Sequence, residues 1–92
     1  MTMEFLVEIE MAPIPEDVRE AVTEAERVRG RELMDAGTIR RIWRVPGRRA
    51  NVGVWAAPDA TALHAAIASL PAYPWMDVRV TPLAVHPLEE GS

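Results

Sequence analysis

Residues 3–11 alternate in character, with Met3, Phe5, Val7, Ile9 and Met11 on one side and Glu4, Leu6, Glu8 and Glu10 on the other. A period of two over nine residues predicts a strand with one buried face. Pro13 and Pro15 end the alternation. Glu16 and Asp17 then open a helix with acids in its first turn, where the helix dipole favours them. The helix is expected to run from about residue 16 to residue 36 and to stop at Gly37, which suits the position after a helix end. Thr38 to Val45 reads as a second strand, Pro46-Gly47 as a turn, and Ala50 to Ala56 as a third strand with Val52, Val54 and Ala56 on one side. Pro58-Asp59 starts a second helix of about 12 residues that ends near Leu70. After the stiff link of Pro71 and Pro74, Met76, Val78 and Val80 alternate with Asp77, Arg79 and Thr81 in a fourth strand. The polar tail from Pro87 to Ser92 is expected to fray.

The order β-α-β-β-α-β predicts an α+β, ferredoxin-like fold: a four-stranded antiparallel sheet with two helices on one face. One domain spans residues 1–92. The second sheet face is expected to carry Leu6, Ile42, Trp55 and arginine stems. That set is too apolar to leave wet, so a partner subunit is the expected cover.

Composition narrows the chemistry. The chain has no cysteine, which removes disulfides, thiolate metal sites and cysteine nucleophiles. All ten basic residues are arginine, so lysine Schiff-base chemistry is excluded too. A net charge of −4 disfavours nucleic acid as a general partner. No apolar run approaches the roughly 18–20 residues that span a bilayer. The first eleven residues carry acids where a secretory leader needs basic residues, so a cytoplasmic location is expected.

On the first helix, at 100° per residue, Glu26 and Arg29 fall within about 40° of Val22 and so inside the stripe that Val18, Val22, Ala25, Leu33 and Ala36 define. A carboxylate facing a core or cleft has its pKa raised unless it is paired, which suits a general base near neutral pH. The competing possibility is a Glu26–Arg29 ion pair at the stripe's edge. Residues 40–49 hold five of the ten arginines. Strand alternation puts Arg40, Ile42 and Arg44 together, on the face expected to carry Asn51 and Trp55. Two guanidinium groups, an amide and an indole can bind a small carboxylated ligand. They can equally form a ladder with Glu8 and Glu10. An RNA-recognition surface is a further rival, but Ala50 to Trp55 offers one aromatic where such a module needs several. His64 and His86 lack carboxylate or histidine partners at metal-ligand spacing, so no metal site is expected. Neither Ser69 nor Ser92 sits in a nucleophile elbow, and the glycines form no phosphate loop. Trp43, Trp55 and Trp75 are more simply core than cofactor contacts.

Several short segments, in their order and spacing, resemble the muconolactone delta-isomerase family. They are Gly37-Thr38, Trp43-Arg44, Pro46-Gly47, Ala50-Asn51, Ala62-Leu63-His64, Leu70-Pro71, Tyr73-Pro74, Trp75-Met76-Asp77 and His86-Pro87, covering about residue 3 to residue 87. The resemblance implies a cofactor-free 1,3-proton shift that moves a double bond in a carboxylated lactone during aromatic catabolism. It also implies a homo-oligomer, a decamer built from dimers. In that setting Glu26 is the expected base, Asn51 a polarising donor, and Arg40 or Arg44 the carboxylate clamp, with Trp55 and His86 in the cleft wall. Two departures stand out: Arg27 where the family has lysine, and Arg48-Arg49 where it has histidine and tyrosine. Exchanging titratable groups for fixed cations can change substrate choice. The alternative is a non-catalytic module of dimeric α/β-barrel type that binds small acids.

Overall fold

The computed structural model describes residues 1–90. Strand β1 (Met3–Met11) leads through the two prolines into α1 (Glu16–Asp35). Then come β2 (Ile39–Arg44), β3 (Ala50–Ala57), α2 (Ala60–Ala68), a 3₁₀ turn (Tyr73–Trp75), β4 (Met76–Leu83) and a single helical turn, α3 (Pro87–Glu90). The sheet order is β2-β3-β1-β4, every pair antiparallel. This is the expected ferredoxin-like arrangement. Of the tail expected to fray, Pro87–Glu90 forms α3, and Gly91 and Ser92 lie outside the described residues.

Local signals set the element ends. Gly37 takes a φ of +78°, which costs a residue without a Cβ little. Its N–H donates to Met34 O at 3.0 Å and Thr38 N–H donates to Leu33 O at 2.9 Å, closing the last turn of α1 as a Schellman motif. Asp59 caps α2, its carboxylate accepting from Ala62 N–H at 2.8 Å.

The core lies between the helices and the sheet face that carries Phe5, Val7 and Ile9, all 3% exposed or less. Leu33 of α1 and Leu63 and Ile67 of α2 complete it. Strand register corrects two face assignments. Phe5 pairs with Trp55 and Ile9 with Asn51, so Asn51, Gly53 and Trp55 point toward the helices. Ile42 pairs with Gly53 and Arg44 with Asn51, which puts both on the same side. Trp55, expected on the second face, is therefore a core residue at 1% exposure. The outer face instead carries Leu6 opposite Val54, with Val52 and Trp43 beside them.

A second correction concerns α1. Val18, Ala25 and Ala36 are exposed, and the side turned inward is Val22, Glu26, Arg29, Gly30 and Leu33. The helix thus meets the sheet along a line rotated toward Glu26.

Candidate active site

The face-down side chains of β3 are unusual for a core: an amide, no side chain at all, and an indole. Small and polar groups there leave the sheet underfilled beneath the middle of α1. The result is a cavity of about 460 Å³, walled by Thr23, Glu26 and Gly30 of α1 and by Asn51, Trp55, Ile42 and Arg44 of the sheet. A neighbouring cleft of about 560 Å³ shares Thr23, Ile42, Arg44 and Asn51 with it and adds Arg19, Arg48 and Arg49. The arginine-lined cleft, as a mouth, thus adjoins the more apolar cavity across a shared wall.

Glu26 is half-buried in the cavity wall. Its Oε1 accepts the Ala72 backbone N–H at 2.9 Å, a contact that fixes the carboxyl group against the loop after α2. Among the described residues no cation pairs with it. Arg29, the expected partner at i+3, donates instead to Ser69 Oγ at 3.0 Å and pairs with Glu32 at 3.1 Å. Desolvation pushes the Glu26 pKa above the ordinary 4.5, against the smaller downward pull of the Ala72 N–H. The sign of its effect on stability follows. Folding is not penalised below pH 4.5, where the group is protonated in both states, and it weakens as pH rises through the elevated folded value. Glu26→Gln keeps an oxygen for Ala72 and removes the buried charge. Its melting temperature is expected to exceed that of the parent at pH 7, with the gap closing below pH 4.5 in a melting series across pH.

The other predicted site residues separate. Asn51, Trp55 and Arg44 share the cavity with Glu26. Both Asn51 Oδ1 and Trp55 Nε1 are buried there without a hydrogen-bond partner. Arg44 has no acidic partner among the described residues. Arg40 does not join them. A register shift between Ile39 and Arg41 turns it to the outer face, where it pairs with Glu4 at 2.9 Å. The charge ladder considered for that face thus exists in another form, as Arg40–Glu4 and as Arg48–Glu10 at 2.7 Å. His86 is exposed, accepts from Leu88 N–H at Nδ1, and does not line the cavity of its own chain. Arg49 and Arg19 belong to the mouth; Arg49 stood out in the sequence only as a departure from the family pattern, and Arg19 did not stand out at all. Arg19 donates to the Ile14 carbonyl at 3.0 and 3.2 Å. Proximity of Arg49 to Asn51 along the chain was the available clue. Among the described residues no three histidine, aspartate or glutamate side chains gather as metal ligands, and no helix is long and apolar enough to cross a membrane.

Known proteins place this geometry. The family model described as muconolactone delta-isomerase matches residues 3–89. Muconolactone Delta-isomerase 2 of Acinetobacter lwoffii is 36% identical over 61 residues, which cover 66% of this chain and 64% of that protein. The Rhodococcus opacus muconolactone Delta-isomerase is 31% identical over 86 residues, 89% of this chain and 91% of that one. A crystal structure of muconolactone isomerase superposes with a TM-score of 0.84 at 32% identity, covering 92% of both chains. A match that runs through every strand and both long helices settles kinship: the chain belongs to the muconolactone delta-isomerase family and is an isomerase.

Proposed function

We propose that this isomerase shifts the ring double bond of muconolactone, or of a closely related carboxylated lactone, to give the 3-oxoadipate enol-lactone type of product in the β-ketoadipate branch of aromatic catabolism. The observation that carries the reading is the half-buried Glu26 carboxylate, held by Ala72 N–H on the wall of a cavity that also presents Asn51 and Arg44. As base, Glu26 takes the ring proton γ to the lactone carbonyl. The electron pair spreads into a dienolate whose charge rests on the carbonyl oxygen. The same carboxylic acid then returns that proton to the α carbon, so no proton is gained or lost and the double bond has moved. Asn51 polarises the carbonyl. Its amide can present nitrogen in place of oxygen by a half-turn. Arg44, without an acid partner among the described residues, receives the carboxylate arm at the junction of cavity and mouth.

The test is direct addition of the protein to muconolactone without metal, followed by ultraviolet absorbance, with 3-oxoadipate enol-lactone hydrolase as coupling enzyme. Catalysed conversion is the expected result. A ligand-dependent rise in melting temperature with no conversion overturns it in favour of a small-acid-binding module. Arg44→Ala is expected to raise KM about 10–100-fold, since a charge-assisted contact to a carboxylate contributes roughly 1.5–3 kcal/mol, with a smaller change in kcat. A fall in kcat at constant KM would take Arg44 out of the clamp role.

The same reading takes the protein as a cytoplasmic homo-oligomer, a decamer built from dimers. Support for the oligomer comes from the outer sheet face, where Trp43 is 44% exposed beside Leu6, Val52 and Val54, an apolar area on the side of the sheet away from the core.

A further inference from the structure

Trp55 is the largest of the fully buried side chains, at 1% exposure, yet its indole N–H has no hydrogen-bond partner among the described residues. Buried indole donors are normally satisfied, because an unmet one keeps its full desolvation penalty. Trp55 lines the same cavity as Glu26. Its Nε1 leans back along β3 over Gly53, 3.5 Å from where a Cβ on that glycine would stand. Asn51 is the next residue on the same side of the strand, and its Oδ1 is the other buried polar atom without a partner. Buried Gly53 lies between the two unmet groups, and the Arg41 carbonyl oxygen of β2 stands 2.6 Å from where a Cβ on it would be. Glu26 faces them from α1, on the opposite wall.

From this arrangement we infer that Trp55 Nε1–H is a second catalytic donor, one that receives the lactone carbonyl oxygen. The inference rests on the isomerase reading above. A base on the helix wall pulls the proton from one side of the ring, and the negative charge that develops appears on the carbonyl oxygen, which the sheet floor meets. An indole N–H suits this position. It donates without accepting, and it is too weak an acid to surrender its proton, so it holds the oxyanion without quenching the dienolate. A donor already fixed in a dry cavity contributes most when charge builds up, and so acts on kcat more than on KM.

The experiment has two arms on the intact protein. Trp55→Phe keeps an apolar ring and removes the N–H. It is expected to lower kcat about 10²-fold with KM within about threefold, at an unchanged circular dichroism spectrum. The second arm is independent of turnover and of that variant's folding. The wild-type protein, labelled with ¹⁵N, is titrated with a saturated γ-butyrolactone bearing a carboxymethyl arm, which binds without isomerising. The Trp55 indole cross-peak is expected to move downfield while that of Trp75, which lines neither cavity nor mouth, stays in place. A folded Trp55→Phe protein with wild-type kcat overturns the inference and leaves the isomerase assignment standing. So does a Trp55 indole signal unmoved at saturating lactone. Absence of wild-type turnover would instead strike the isomerase reading, and the indole titration would still report whether a lactone carbonyl reaches Trp55.

Discussion

Glu26→Gln is expected to lose about 10²–10⁴-fold in kcat, the usual contribution of a positioned general base, while its fold and its affinity for the lactone persist. The variant is well suited to the question because the amide is nearly isosteric and can still accept the Ala72 N–H that fixes the group. What it cannot do is accept the ring proton and hand it on. Steady-state rates with muconolactone measure the first property, and the melting series across pH measures the second. Loss of turnover together with a raised melting temperature at neutral pH would show a carboxylate retained at the expense of stability. Wild-type turnover in Glu26→Gln would remove Glu26 as the base.

Gly53→Ala is expected to be the most damaging of the small substitutions. A Cβ at residue 53 would stand 2.6 Å from the Arg41 carbonyl oxygen, a backbone atom that cannot swing away. Strand β2 must then move off β3 beside the register shift that already turns Arg40 outward. Overpacking of this kind costs about 1–3 kcal/mol, or roughly 10–20 °C in melting temperature at the upper end for a chain of this size. Gly30→Ala is the matched control. It lies inside α1, and a Cβ there would meet nothing within 4 Å. Relief of the glycine penalty in a helix is expected to add about 0.5–1 kcal/mol. Differential scanning calorimetry of the two variants separates the outcomes. A Gly53→Ala protein as stable as the parent would mean that β2 and β3 are not held at the spacing described.

The two glycines illustrate how unevenly the molecule could be read from its chain. Alternation in residues 3–11, acids opening α1, Gly37 closing it and Asp59 capping α2 are all signals between neighbours in sequence. They needed no knowledge of what packs where, and the βαββαβ order followed from them. Glu26 was legible for the same reason, because helical geometry relates it to Val22 and Leu33 over a few turns.

Strand β3 was not legible in that way. Its two faces, Val52-Val54-Ala56 and Asn51-Gly53-Trp55, are both acceptable for burial, and hydrophobicity favours the wrong one. Which side faces the helices is set by pairing with β1, some 45 residues earlier in the chain, through Phe5 opposite Trp55 and Ile9 opposite Asn51. That register puts the less apolar side inward and so opens the cavity. The fate of the arginines turned on a still smaller event. One residue of slippage in β2 sends Arg40 to Glu4 on the outer face and leaves Arg44 on the cavity that Glu26 also lines. Element type and order are short-range properties, which a pattern of side chains records directly. Face, register and the meeting of Glu26 with Asn51, Trp55 and Arg44 are long-range properties, because a strand can satisfy its own periodicity either way up until a distant partner pairs with it.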